Sequence, residues 1–119
     1  MVKSDNEFPL ISFILLSYNQ EKFIEEAVKA ALRQTYEPLE IIISDDVSAD
    51  RTYEIAKAVV DQYRGAHRVI LRKNAKNMGI NPHINLAVKE AKGEFVVIAA
   101  GDDVSLPERT EKLARQWQV

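Results

Sequence analysis

The chain has 119 residues, with 46% hydrophobic and 29% charged side chains and a formal net charge of -2. That is one domain's length with one modest core; the composition excludes a disordered chain, and the charge gives no reason to expect nucleic acid as a partner. No cysteine is present, which excludes disulfides, zinc–thiolate sites and a cysteine nucleophile.

The longest apolar runs fall far short of the roughly 20 residues that span a bilayer. Met1 to Phe8 is polar and acidic and lacks a signal peptide's apolar centre. The expectation is therefore a cytoplasmic protein, with peripheral attachment to the inner face of the membrane left to other parts of a longer chain.

Residues 1–9 read as a lead-in. Leu10 to Leu16 is almost wholly apolar and predicts a first strand, followed by Ser17-Tyr18-Asn19, with Asn19 as a helix N-cap. Phe23, Ile24, Ala27, Val28, Ala31 and Leu32 then recur at helical spacing, and Pro38 marks the exit. Leu39 to Ser44 predicts a second strand ending in Asp45-Asp46. Val47 to Asp50 is a turn that also offers N-caps. Ile55, Ala56, Val59, Val60 and Tyr63 form a second helical stripe, ended by Gly65.

Val69 to Leu71 is the centre of a third strand. Asn74 to Asn81 reads as a loop, and Asn81-Pro82 as N-cap and first helical residue. Ile84, Ala87, Val88 and Ala91 make a third stripe, stopped by Gly93. Phe95 to Ala99 is a fourth strand followed by Asp102-Asp103. Pro107 opens a last helix with Leu113, Ala114 and Trp117 on one face.

The order β-α-β-α-β-α-β-α predicts an α/β fold: a Rossmann-like parallel sheet of about four strands with helices on both faces. Continuous apolar runs suit parallel strands covered on both sides. Ligands of open α/β sheets bind outside the carboxyl ends of the strands. Here those ends carry Tyr18-Asn19, Asp45-Asp46 and Asp102-Asp103.

Carboxylates gathered there repel one another unless a cation or hydrogen-bond donors stand between them. They offer hard oxygen ligands to a divalent cation. Helix capping and turn formation are the competing explanations for both acid pairs, and a core aromatic with a wet tip for Tyr18. His67 reads as a surface residue and His83 as a first-turn helix residue, neither catalytic. Arg68, Arg72, Lys73 and Lys76 read as a solvated strand edge, with a phosphate contact as the alternative. No G-x-G-x-x-G or G-x-x-x-x-G-K-[ST] occurs, so any diphosphate must be held by metal and side chains.

Four stretches together resemble the family 2 glycosyltransferases. Ile11-Ser-Phe-Ile-Leu-Leu-Ser-Tyr-Asn19 resembles that family's V-S-V-I-I-P-x-Y-N, and Glu40-Ile-Ile-Ile-Ser-Asp-Asp-Val-Ser-Ala-Asp-Arg-Thr52 its E-I-I-V-V-D-D-G-S-x-D-x-T. Asn77-Met-Gly79, Asn85 and Ala91-Lys-Gly-Glu94 resemble its N-x-G, N and A-x-G-E. Ala100-Gly-Asp-Asp103 with Pro107 and Leu113 resembles its D-x-D-type metal motif and P…L tail.

The resemblance implies a partial GT-A fold in which residues 10–119 form the nucleotide-sugar-binding half, truncated before the acceptor half. The partners it implies are a nucleotide-sugar donor, most often a UDP-sugar, and an acceptor saccharide or lipid-linked saccharide. The cofactor it implies is Mn²⁺ or Mg²⁺. Tyr18 would flank the base, Asp45 accept a hydrogen bond from the base edge, Asp102 hold the ribose or sugar, and Asp103 ligate the metal. Ser17, Asn19 and Asp46 stand beside them in the nucleotide site.

The general base is expected beyond Val119, so the fragment alone is expected to be inactive, with self-association through surface left by the missing half. Three positions depart from the pattern. Val47 stands where glycine is usual, Ile84 where an arginine often precedes Asn85, and Ala100 where the longer metal motif starts with an acid. The alternatives are a receiver-type signalling domain, suggested by Ile41 to Asp46, and a non-catalytic nucleotide-binding module.

Overall fold

The computed structural model describes residues 8–117. Eight elements alternate: β1 (Ile11–Ser17), α1 (Ile24–Leu32), β2 (Leu39–Asp45), α2 (Thr52–Gln62), β3 (Arg68–Lys73), α3 (Ile80–Glu90), β4 (Phe95–Ala100) and α4 (Arg109–Trp117). The strands form one parallel sheet in the order β3-β2-β1-β4. The predicted fold class is the observed one. Among the described residues no helix is long and apolar enough to cross a membrane.

The two central strands explain their own sequences. Ile11 to Leu15 and Leu39 to Ile43 are buried on both faces, so neither run alternates. The two faces are covered unequally. Phe13, Leu15, Ile41, Ile43 and Val97 pack against α1, α2 and Ala114 of α4, whereas Ile14 and Ile42 meet Ala87 of α3. Each fully buried isoleucine contributes about 1.5–3 kcal/mol by leaving water. The single-helix face is thinner, and Ile80 and Val88 of α3 remain exposed.

Several boundaries differ from expectation. Asn19 does not cap α1, because its side-chain oxygen accepts the Ala49 N–H; the helix is entered through a turn in which the Gln20 carbonyl accepts both Phe23 and Ile24 N–H. Gly79 is the cap residue of α3, with Asn81 and Pro82 inside its first turn, where a missing N–H has no consequence. Pro107 lies in the turn before α4. Gly65 and Gly93 stand three residues past Gln62 and Glu90, so neither ends a helix. On α4, Ala114 is buried and Leu113 is exposed, while the side chain of Trp117 lies outside the described ones. The lead-in expected over 1–9 lies largely outside the described residues. His67 is half-buried, with Nε2 2.6 Å from the Gln34 carbonyl and its ring stacked on Tyr63.

Gly93 has a packing role instead. At the amino ends of the strands, the buried Glu40 carboxylate accepts the Ser12 hydroxyl (2.5 Å) and the Lys92 N–H (2.6 Å). Gly93 N–H donates to Ser12 Oγ (2.8 Å), and Glu94 N–H to the Leu10 carbonyl (2.7 Å). The Ala91–Glu94 segment thus clamps the entry of β4 onto β1, at the end of the sheet opposite the acid pairs. A Cβ on Gly93 would lie 2.5 Å from the Ser12 amide nitrogen, which is backbone and cannot step aside. Gly93→Ala is therefore expected to lower the unfolding free energy by about 2 kcal/mol in urea denaturation; an unchanged midpoint would refute the close approach.

Candidate functional site

Parallel register lines up the carboxyl ends. Ser17 pairs with Asp45, Asp45 with Lys73, and Leu16 with Ala100. Between the ends of β1 and β4 and the first turn of α3 lies a cleft of about 550 Å³. Ser17, Tyr18, Asp46 and Asp103 line it, together with Gln20, Asn77 and His83 and an apolar wall of Ile80, Ile84 and Ile98. Of the expected site residues, Asn19, Asp45 and Asp102 are not in its wall.

Asp45 lies buried behind the cleft. Its Oδ1 accepts the hydroxyls of Ser17 (2.8 Å) and Ser48 (2.6 Å), and Oδ2 the Ser48 N–H (2.8 Å). Asp46 is also buried. It accepts Asn74 Nδ2–H (2.7 Å) and Met78 N–H (2.8 Å) at Oδ1, and Gly79 N–H (3.0 Å) at Oδ2. The two acids are kept apart by separate sets of donors. Burial raises the Asp46 value, but the bonds from Asn74, Met78 and Gly79 outweigh it and hold the carboxyl below the ordinary carboxylate value.

Asn19 sits in the left-handed region (φ 52°), and its N–H donates to Ser48 Oγ (2.9 Å). With Ala49 N–H on its side chain, it ties the β1 loop to the β2 loop. Tyr18, between them, is half exposed at the cleft mouth. Val47 adopts φ 60°, so the turn keeps the conformation glycine would take.

Gly101 admits Gln20, whose Oε1 would lie 2.3 Å from a Cβ there. Asp103 follows, its side chain 46% exposed and 3.5 Å from Arg109 Nη1. Arg109 also donates to Ser105 Oγ and to the Ile98 carbonyl, both at 3.0 Å. Asp102 is exposed, with no hydrogen bond or ion pair among the described residues.

His83 and Arg72 were not expected here. His83 is buried, with Nε2 2.7 Å from Ser44 Oγ. Burial pushes its imidazole below the ordinary histidine value, Arg72 pushes the same way, and Asp46 and Asp45 oppose them. Arg72 is not part of a solvated edge: it donates to Ser44 Oγ and Asn74 Oδ1 and pairs with Glu90 at 3.0 Å. The other three members of that basic run, Arg68, Lys73 and Lys76, are exposed as expected. These partners lie on different elements, and no spacing within one stretch announces them.

The chain is thus a parallel α/β protein with a cleft outside the carboxyl ends of its central strands, where open α/β sheets bind their ligands. The chain belongs to glycosyl transferase family 2, whose model matches residues 12–119. It is 37% identical over 115 residues to the glycosyltransferase GlyG of Streptococcus pneumoniae, covering 92% of this chain and 35% of GlyG. The mannosyltransferase PcManGT of Pyrobaculum calidifontis, in complex with GDP-Man and Mn²⁺, superposes with a TM-score of 0.77 at 28% identity, over 89% of this chain and 30% of that one. S. aureus TarS 1-349 in complex with UDP gives 0.73 at 28%, over 88% and 31%. The chain spans about a third of the length of the curated relatives it matches. The sheet is that of the GT-A glycosyltransferases, and family membership sets aside the receiver-type alternative.

Two variants check this geometry. A β-branched residue at positive φ is strained by about 1–3 kcal/mol, so Val47→Gly is expected to raise the unfolding free energy by about 1 kcal/mol once glycine's extra entropy is subtracted. The folded Asp46 value is depressed; its contribution is therefore complete above about pH 4 and is lost as pH falls through the folded value. Asp46→Asn is expected to lower stability by about 2 kcal/mol at neutral pH and to flatten the acid limb of the wild-type pH–stability curve.

Proposed function

We propose that these residues form the donor side of a glycosyltransferase that moves a sugar from a nucleotide-sugar to an acceptor hydroxyl on a saccharide or lipid-linked saccharide. The observation that carries this reading is the cleft, which sets a half-exposed tyrosine, an apolar wall and two acids, Asp46 and Asp103, around one space. The relatives crystallised with UDP or with GDP-Man and Mn²⁺ support it.

Tyr18 offers a ring face to the base. Ser17 and Asn19 fix the loop that carries it. Asp45 and Asp46 each accept three hydrogen bonds; of the roughly four lone-pair sites of a carboxylate, Asp46, in the cleft wall, keeps one for an N–H or O–H of the nucleotide, while Asp45 sets Ser17 and Ser48 from behind it. Asp102, exposed and unengaged, is free to accept ribose or sugar hydroxyls.

Among the described residues no group of three or more acids or histidines stands together to hold a metal. Mg²⁺ and Mn²⁺ at diphosphates do not need one, since one or two carboxylates and the phosphate oxygens suffice. Asp103 fits that role. Its hard oxygens are at the cleft, and its one ion pair is long and exposed. A divalent ion held there would supply positive charge to the departing diphosphate.

Attack by the acceptor in line with the leaving group inverts the anomeric centre. It also needs a base for the hydroxyl proton. Asp45 and Asp46 each already hold three donors, Asp102 is assigned to the donor's hydroxyls and Asp103 to the metal, so the base comes from another part of the protein.

Calorimetric titration of the chain with UDP, with and without Mn²⁺, tests the reading. Metal-dependent binding that Asp103→Ala weakens at least about tenfold, or about 1.4 kcal/mol, is expected. No binding by a folded sample, or binding indifferent to both metal and mutation, would sink it. Sugar transfer by residues 1–119 alone, well above donor hydrolysis, would sink the placement of the base elsewhere.

A further inference from the structure

Behind the cleft runs a buried polar chain with no assigned role. His83 is the polar side chain that α3 gives the cleft, between Ile80 and Ile84. Its Nε2 lies 2.7 Å from the hydroxyl of Ser44, which is wholly buried. That hydroxyl also receives Arg72 Nη1–H. Arg72 donates to Asn74 Oδ1 (2.8 Å), and Asn74 donates to Asp46 Oδ1 (2.7 Å). Asp46 in turn holds the Met78 and Gly79 amides.

Proton counting fixes the direction of this chain. Arg72 is only a donor, and Ser44 has one proton. Among the described residues the one acceptor within reach of that proton is His83 Nε2. The arrangement that satisfies all three groups has Ser44 donating to a neutral imidazole that carries its proton on Nδ1. An imidazolium would aim a second cationic N–H at an oxygen already serving a guanidinium, in a buried place, and would strand the hydroxyl proton.

We propose that His83 is a positioning residue of the donor cleft: as a neutral acceptor it fixes Ser44, Arg72 and Asn74, and through them the Asp46 carboxylate and the Met78–Gly79 backbone, and protonating it releases them. Its effect on nucleotide rests on the donor reading above; the relay itself does not.

The groups facing the imidazole support a neutral state. Burial and Arg72, from β3, disfavour the charged form and outweigh Asp46 and Asp45, from β2. The first turn of α3 holds no acid. Glu90, at the far end of α3, is paired with Arg72. Across the cleft, Asp103 pairs with Arg109 and makes no bond to His83. Asp46 stays ionised through the mildly acidic range, because its own value is depressed.

The test is nitrogen-15 NMR of the full 119-residue chain from about pH 7.5 to about pH 5, with UDP affinity measured by calorimetry at both ends. His83→Gln is the informative variant, since its amide oxygen accepts the Ser44 proton but does not titrate. The wild type is expected to show Nε2 unprotonated at neutral pH, with the Met78 and Gly79 amide signals moving as His83 titrates below the ordinary value of about 6.5. In His83→Gln those amides stay still. UDP binding by the wild type is expected to weaken about threefold to eightfold across the range, as it does for a one-unit difference in His83 value between free and bound protein when the free value lies about 0.5 to 1.5 units above the lower pH, and by less than about twofold in the variant.

An Nε2–H tautomer, or amides indifferent to the imidazole's titration, overturns the relay. A parallel loss of affinity in His83→Gln overturns its role in binding. Amides that follow His83 in a protein that binds no UDP at either pH confirm the relay and overturn the donor reading instead.

Discussion

Two neighbouring carboxylates at the end of β2 hold this site together. An isolated buried carboxylate carries a penalty of several kcal/mol, and two in succession would repel one another as well. The chain resolves both problems by giving each acid its own set of donors. Asp45 is satisfied from the β1 side and its own turn, by Ser17 and Ser48. Asp46 is satisfied from the β3 side, by Asn74 and the Met78–Gly79 backbone. The donors are thereby fixed in turn, so the acids stitch the loops after β1 and β3 to the centre of the sheet. The cleft exists because those loops cannot wander.

The elements were readable in the sequence for a simple reason. β1 and β2 are covered on both faces, so burial writes itself as unbroken apolar runs. The helix starts were less readable because the actual caps do not use the residues that looked like caps. Asn19 spends its side chain on Ala49, and α3 begins from a glycine that no side chain caps. The acids at strand ends were recognisable as a group, and Ser17, Tyr18, Asp46 and Asp103 do meet in one cleft. What could not be read was the layer behind them. Ser44 lies 39 residues from His83 and 28 from Arg72, and only the strand order brings the three together.

Family membership and physical role separate in an instructive way. The Glu40 and Ala91–Glu94 motifs resemble family signatures as closely as the acid pairs do, yet they lie at the opposite end of the sheet. Their work is mechanical: a buried carboxylate, a serine and a glycine fix where β4 enters beside β1. That register in turn decides that Ala100 ends level with Leu16, and so where Asp103 stands relative to Tyr18. Val47 makes a related point. The residue departs from the pattern, while the backbone (φ 60°) does not, so the turn's geometry is enforced by Ser48 and Asp45 in spite of a poorly suited side chain.

Arg109 bears on a different property of the molecule. In the described sheet β4 is an outer strand, six residues long and rich in valine, isoleucine and alanine. Such a strand is a template on which a stray extended segment can build. The Arg109 guanidinium sits over this edge and takes the Ile98 carbonyl at its middle. An incoming strand would have to evict a charged group anchored to Ser105 before it could continue its ladder. One side chain from the following helix thus occupies a main-chain acceptor on β4 that an added strand in the described sheet would use.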